Sequence, residues 1–203
     1  MRILLSTILL LLIPRILLAQ KLPEIGTNVR IIESDKTIVA EIKAVNSTPS
    51  MNPEKIYYWY GSNNIHHTQG GYSGHLLNGA YNEYYLNKNL KEQGTYTKGL
   101  KSGVWKSWSE NGALKQLFTY NKGVKSGPFY LYDDLGKVTQ AGNYDENELE
   151  GKVKFYSKDS VAVVKYKHGK PMPNQHIKSF WDKLNFLKKH PKTTEKPKLK
   201  TNH

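Results

Sequence analysis

Seven histidines are the side chains of this chain best able to ligate a metal, and His66, His67 and His75 stand close together in sequence. Adjacent residues of a strand point to opposite faces, so His66 and His67 are poorly placed to share an ion and read as surface residues. The run Asp145-Glu146-Asn147-Glu148-Leu149-Glu150 invites a calcium reading. It puts Leu149 and Glu150 where an EF-hand loop needs an oxygen ligand and a glycine, which leaves a solvated turn. No nucleophile stands with a paired His and an orienting carboxylate, and no glycine loop precedes a helix. There is no cysteine, hence no disulfide, no thiolate zinc site and no lipid-accepting thiol. Asp159-Ser160-Val161 fits a short O-glycosylation acceptor pattern of exported bacterial proteins, and equally a plain turn. A non-enzymatic chain with no metal and no cofactor is expected.

The aromatic residues are the other group that could make contacts, and their spacing shows what positions them. Gly79, Gly103, Gly127 and Gly151 follow one another at 24 residues. Two positions on stand Tyr81, Trp105, Phe129 and Val153, and five positions on stand Tyr84, Trp108, Tyr132 and Tyr156. Leu90, Leu114, Val138 and Ala162 share a later position, followed by Tyr96, Tyr120 and Tyr144, with Tyr166 two residues early in a shortened last unit. One period before Tyr81 and Tyr84 stand Tyr57 and Tyr60, which open a divergent first unit. The five units are 55–78, 79–102, 103–126, 127–150 and 151–172. Such units cannot bury a face alone and must stack on neighbours.

Within a unit, residues 104–109 and 113–120 are β-prone, Glu110-Asn111-Gly112 is a turn, and Asn121-Lys122-Gly123 turns again. One hairpin per unit follows. The fold class expected is all-β: an elongated, single-layer antiparallel sheet of tandem hairpins, with a short C-terminal helix. Parity puts Leu114, Gln116, Phe118 and Tyr120 on one face of their strand. Trp105 and Trp108 fall on opposite faces unless a bulge intervenes, and the spacing does not decide which.

The pattern Gly103-Val-Trp105-Lys-Ser-Trp108-Ser-Glu-Asn111-Gly112-Ala-Leu114, then Tyr120-Asn-Lys-Gly123-Val-Lys-Ser-Gly127, resembles the MORN-variant repeat of bacterial proteins labelled as the YwqK-type antitoxin family. The resemblance covers about residues 55–170. It implies a hairpin-per-unit, single-layer sheet without a catalytic centre, and its label implies an antitoxin role. Lys88 and Ser160 stand where the pattern has its turn glycine, and Asn147 where it has the connecting glycine.

The flanks add an address and two caps. Residues 1–19 open with Arg2 and run apolar to Ala19, which reads as an export signal of a protein that is periplasmic or extracellular and not a lipoprotein. Residues 20–54 hold two β-prone runs around Ser34-Asp35-Lys36, a hairpin able to cover the first sheet edge. Ile177, Phe180, Trp181, Leu184 and Leu187 keep helical spacing across 173–190, with Lys178, Lys183, Lys188 and Lys189 between them. That segment is either a cap on the last hairpin or an anchor on an anionic surface. Residues 191–203 are Lys-rich and expected to be disordered. The formal charge of +13 divides into about −1 over 20–54, +6 over 55–172 and +6 over 173–203, besides Arg2 and Arg15. Nearly all of it is Lys, which favours diffuse attraction over base reading, and no nucleic-acid partner is expected.

Together these features point to a protein-interaction scaffold of the cell envelope whose partner is another envelope protein. The contact candidates are Tyr57, Tyr60, Tyr81, Tyr84, Trp105, Trp108, Phe129, Tyr132 and Tyr156. Alternatives are a carbohydrate or cell-wall binder using aromatic ladders, and a peripheral membrane protein held by the basic helix. Exposure of Tyr84, Trp108, Tyr132 and Tyr156 separates the first two.

Overall fold

A pair of short strands is marginal in water, and what stabilises it is a neighbour on each side. The computed structural model describes residues 27–43 and 50–172. The expected export signal, the helix at 173–190, the tail at 191–203 and Lys178, Lys183, Lys188 and Lys189 lie outside the described residues. The strands are β1 (Thr27–Ile32), β2 (Lys36–Ile42), β3 (Ile56–Gly61), β4 (Asn64–Gln69), β5 (His75–Leu76), β6 (Gly79–Tyr85), β7 (Leu90–Thr97), β8 (Leu100–Trp108), β9 (Leu114–Asn121), β10 (Val124–Tyr132), β11 (Val138–Asp145), β12 (Glu148–Tyr156), β13 (Val161–Lys167) and β14 (Lys170–Pro171). Eleven of them form one open sheet, in the order β1-β2-β6-β7-β8-β9-β10-β11-β12-β13-β14, and a second sheet runs β4-β3-β5. Every named pair is antiparallel, so the expected all-β array of hairpins is the architecture of the described chain.

The first unit departs from simple stacking. Its hairpin, β3 and β4, does not precede β6 in the large sheet. That edge is taken by β2, with Ala40 opposite Tyr81 and Lys36 opposite Tyr85. Locally, the unit has Lys55 where later units open on glycine, and it turns through two residues only, Ser62 and Asn63, with φ of 49° and 57°. The small sheet instead packs Tyr58, Tyr60 and Ile65 on the buried cluster of the large one, and Tyr58 N–H reaches the Gly99 carbonyl (2.8 Å) at the β7–β8 turn.

The connections between units are tight. Lys98–Gly99, Lys122–Gly123, Glu146–Asn147 and His168–Gly169 each place two left-handed residues in succession, the type I′ turn that matches strand twist. Asn147 substitutes for glycine because Asn tolerates the left-handed region. The acidic run is thereby a turn, with Asp145 paired to Glu148 across it.

Two bulges recur along the array. At the first, residues 103–105 face the single residue Gly94, and residues 151–153 face Gly142. Gly103, Gly127 and Gly151 have φ of 68°, 117° and 76° there, which is why the period is marked by glycine. The second bulge lies just before Tyr84, Trp108 and Tyr132. Its extra residue belongs to the returning strand, as with Lys115 between Leu114 and Gln116, so β8 itself alternates regularly. Trp105 and Trp108 therefore take opposite faces. Leu114 is corrected to the face of Trp108, its cross-strand partner, away from Gln116, Phe118 and Tyr120.

The last unit has no second bulge, and four residues (157–160) separate Tyr156 from Val161 where five (109–113) separate Trp108 from Leu114. One residue lost at each place brings Tyr166 two positions early. No residue of 157–160 has a positive φ, so Ser160 has no need to be glycine.

Candidate functional site

The face carrying Trp105 is the inner face. The first aromatic position lies on it throughout, with Tyr81, Trp105, Phe129 and Val153 all buried and Trp105 only 2% exposed. Facing them across the ladder are Gly94, Phe118 and Gly142. A Cβ on Gly94 would stand 2.2 Å from the Trp105 ring, so glycine there is what lets the indole lie flat on the neighbouring strand. Trp105 meets Tyr96 edge-on at 4.9 Å and Tyr81 at 5.6 Å, and donates Nε1–H to the Thr95 carbonyl (3.3 Å). Ile31, Ile38, Ala40 and Leu77 complete this cluster, and Tyr58, Tyr60 and Ile65 of the small sheet pack on it. A second cluster holds Phe129, Val153, Val164 and Tyr166, with Phe118 and Tyr144 beside it.

Between the clusters the inner face turns polar. Leu77, Lys101, Lys125 and Leu149 occupy one position in four successive units. Each is fixed by its carbonyl, which accepts the N–H of Gly99, Gly123, Asn147 or Gly169 from the following turn, at 2.8, 2.9, 2.9 and 3.1 Å. Leu77 is fully buried and Leu149 packs beside the second cluster, whereas the two middle units place lysines there. Lys101 Nζ lies 3.8 Å above the Trp105 ring and 3.1 Å from Glu92 Oε1. Lys125 Nζ lies 3.9 Å above Phe118 and 5.2 Å from the Tyr144 ring. No carboxylate among the described residues is within ion-pairing distance of Lys125. Burial, and then the charge of Lys101, push its pKa down. Burial likewise raises the Tyr120 phenol to about 12, with Glu92 adding to it. Glu92, Trp105, Gln116, Phe118, Tyr120 and Lys125 border a cleft of about 150 Å³.

The second aromatic position behaves differently. Tyr84, Trp108, Tyr132 and Tyr156 stand opposite Leu90, Leu114, Val138 and Val161 and form an outer-face ladder. Three are half-buried and Tyr156 is 36% exposed. Tyr57 is buried in the small sheet, and its hydroxyl accepts the Asn52 N–H at 3.0 Å. Tyr60 is half-buried, with its hydroxyl on Asn63 Oδ1 at 3.1 Å. His66 stacks on Trp59 at 4.4 Å and gives its Nε2–H to the Gly61 carbonyl at 3.0 Å, while His67 lies against Tyr58. Among the described residues no three of His, Asp and Glu come together as a metal site. Two wider clefts, of about 540 and 650 Å³, flank the small sheet.

Lys101, Lys125 and Glu92 escaped sequence reasoning that followed aromatics alone. The signal was present as Lys in two successive units at a position where the units on either side have Leu. The described chain is a tandem β-hairpin repeat protein with an open antiparallel sheet. No known protein family, curated protein or solved structure matches it.

Proposed function

We propose that this chain is a non-catalytic interaction scaffold of the cell envelope, an exported protein that holds another protein on the inner face of its sheet. The observation that carries this reading is the pair of lysines seated one unit apart on aromatic rings, in the polar gap between two buried clusters. The rings beneath them are engaged in packing, which leaves cations and amide groups as the contact chemistry. The MORN-variant resemblance supports a repeat that presents a surface rather than a catalytic site, and the export signal favours this role over the antitoxin label.

A second reading, glycan binding, rests on the outer ladder of Tyr84, Trp108, Tyr132 and Tyr156, whose partial exposure leaves some ring area for sugars. Membrane attachment through Lys178, Lys183, Lys188 and Lys189 is a third. Immobilised chain set against an envelope extract, beside a glycan array and anionic liposomes, separates the three. The scaffold reading expects a protein that binds in stoichiometric amount, survives deletion of 173–203 and is lost in a Lys101→Gln/Lys125→Gln double variant. Binding to glycans that is lost in Trp108→Ala would overturn it, as would liposome binding without any protein partner.

A further inference from the structure

Lys101 and Lys125 are equivalent by position but not in their surroundings. Lys101 is neutralised by Glu92 at 3.1 Å, whereas Lys125 rests on Phe118 with no carboxylate of the described residues in reach. A half-buried ammonium without a counter-ion is costly to the fold, and a cation–π contact offsets only part of that cost. Its charge still reaches the surface, since no side-chain nitrogen or oxygen among the described residues is both buried and unpartnered. The cleft beside it is bordered by Gln116 and Tyr120, and by Glu92, whose charge Lys101 takes up at 3.1 Å. Gln116 and Tyr120 can both hydrogen-bond a carboxylate.

We propose that Lys125 and the cleft bordered by Gln116 and Tyr120 receive one aspartate or glutamate side chain of a protein partner. This rests on the scaffold reading and names the chemistry of its contact. Size selects the occupant: a cleft of about 150 Å³ is below the roughly 300–1,000 Å³ of pockets that enclose a whole small ligand, and suits a single side chain. An acidic sugar needs an open ring face to stack on, and the Phe118 and Trp105 faces already carry lysines. An anionic membrane calls for a broad cationic plane, which Glu92 interrupts. A partner carboxylate supplies the counter-ion that Lys125 lacks, in a partly desolvated place where a charge-assisted hydrogen bond is strong.

The test is isothermal titration of the full chain with end-capped hexaglutamate at low ionic strength. Lys125→Gln is compared with Lys154→Gln, which removes the same charge from an exposed position. Hexaglutamate is expected to bind Lys125→Gln about tenfold more weakly, the loss of one charge-assisted contact, and Lys154→Gln with less than a twofold change. Lys125→Arg restores binding at least in part. Melting of Lys125→Gln at or above the wild-type temperature shows that the fold is intact. Equal losses in both Gln variants mean diffuse attraction and overturn the inference, as does no binding by the wild type. Binding of oligogalacturonate or phosphatidylglycerol vesicles that is as tight and as dependent on Lys125 also overturns it. A captured envelope protein that binds Lys125→Gln undiminished but loses affinity for other inner-face variants refutes this contact and leaves the scaffold standing.

Discussion

Replacing Gly94 by Ala tests how the aromatic core is built. The new Cβ would stand 2.2 Å from Cδ2 and Cε2 of Trp105 and 2.7 Å from Cγ. Carbon atoms rest at about 3.5–4.0 Å, so the indole must retreat by roughly 1.5 Å. It has nowhere to go: the ring is 2% exposed, with Tyr96 at 4.9 Å, Tyr81 at 5.6 Å and the Lys101 ammonium 3.8 Å from its centre. Overpacking of this kind costs about 1–3 kcal/mol, and the stiffer unfolded chain of the Ala variant returns about 0.4–1 kcal/mol. A net loss of about 1–2 kcal/mol is expected in urea unfolding followed by tryptophan fluorescence and far-ultraviolet dichroism. Gly112→Ala is the control, because its Cβ meets nothing within 4 Å although its φ is +86°. It should cost about 1–2 kcal/mol through backbone strain alone and leave the tryptophan emission unchanged. A Gly94→Ala protein within about 0.5 kcal/mol of wild type, the usual spread of harmless substitutions, would refute the close seating of Trp105 on β7.

Other perturbations follow from the same geometry. Lys88 holds φ +69° where Gly112 and Gly136 hold the equivalent turns, so Lys88→Gly should raise stability by about 1 kcal/mol in the same unfolding assay. Burial would raise the Glu83 carboxyl, but Lys91 at 2.8 Å, the Tyr81 hydroxyl at 2.8 Å and Lys36 outweigh it and hold the pKa below its ordinary 4.5. A lowered folded-state value stabilises above the unfolded-state value and is lost as pH falls through the folded one. Melting temperature should therefore hold level above about pH 5 and drop below pH 4, and Glu83→Gln should melt lower at neutral pH with a flatter acid limb. At the alkaline end, burial first holds Tyr81 and Tyr96 far above 10 and Tyr120 near 12, with Glu83 next for Tyr81, Tyr58 next for Tyr96 and Glu92 next for Tyr120. Raised values stabilise below pH 10 and are lost as pH climbs towards them, so absorbance at the phenolate band should show these three ionising late, together with unfolding.

The architecture was legible where a residue's role depends on its own unit. The glycine period marks bulges and left-handed turns, and the position held by Tyr57, Tyr81, Trp105, Phe129 and Val153 is buried in every unit, as a stacked array requires. Reading was harder where two distant segments compete. Only the whole chain shows that β2 rather than the 55–78 hairpin pairs with β6, although Lys55 in place of glycine and the short Ser62–Asn63 turn mark that unit as different. The tryptophan faces depended on which strand holds the extra residue, and a bulge on β9 leaves no mark in the sequence of β8. The candidate site was missed for a chemical reason. Attention to aromatics as contact residues overlooked that Trp105 and Phe118 are platforms for Lys101 and Lys125.

Lysine footprinting of the full chain, alone and in envelope extract, asks most directly which surface is used. Acetylation of every lysine would be read by mass spectrometry in both states. The scaffold account predicts that Lys125, and with it Lys101, loses reactivity in the extract while the outer-face Lys154 keeps its own. Protection confined to Lys178, Lys183, Lys188 and Lys189, or no protection of Lys125, would contradict it.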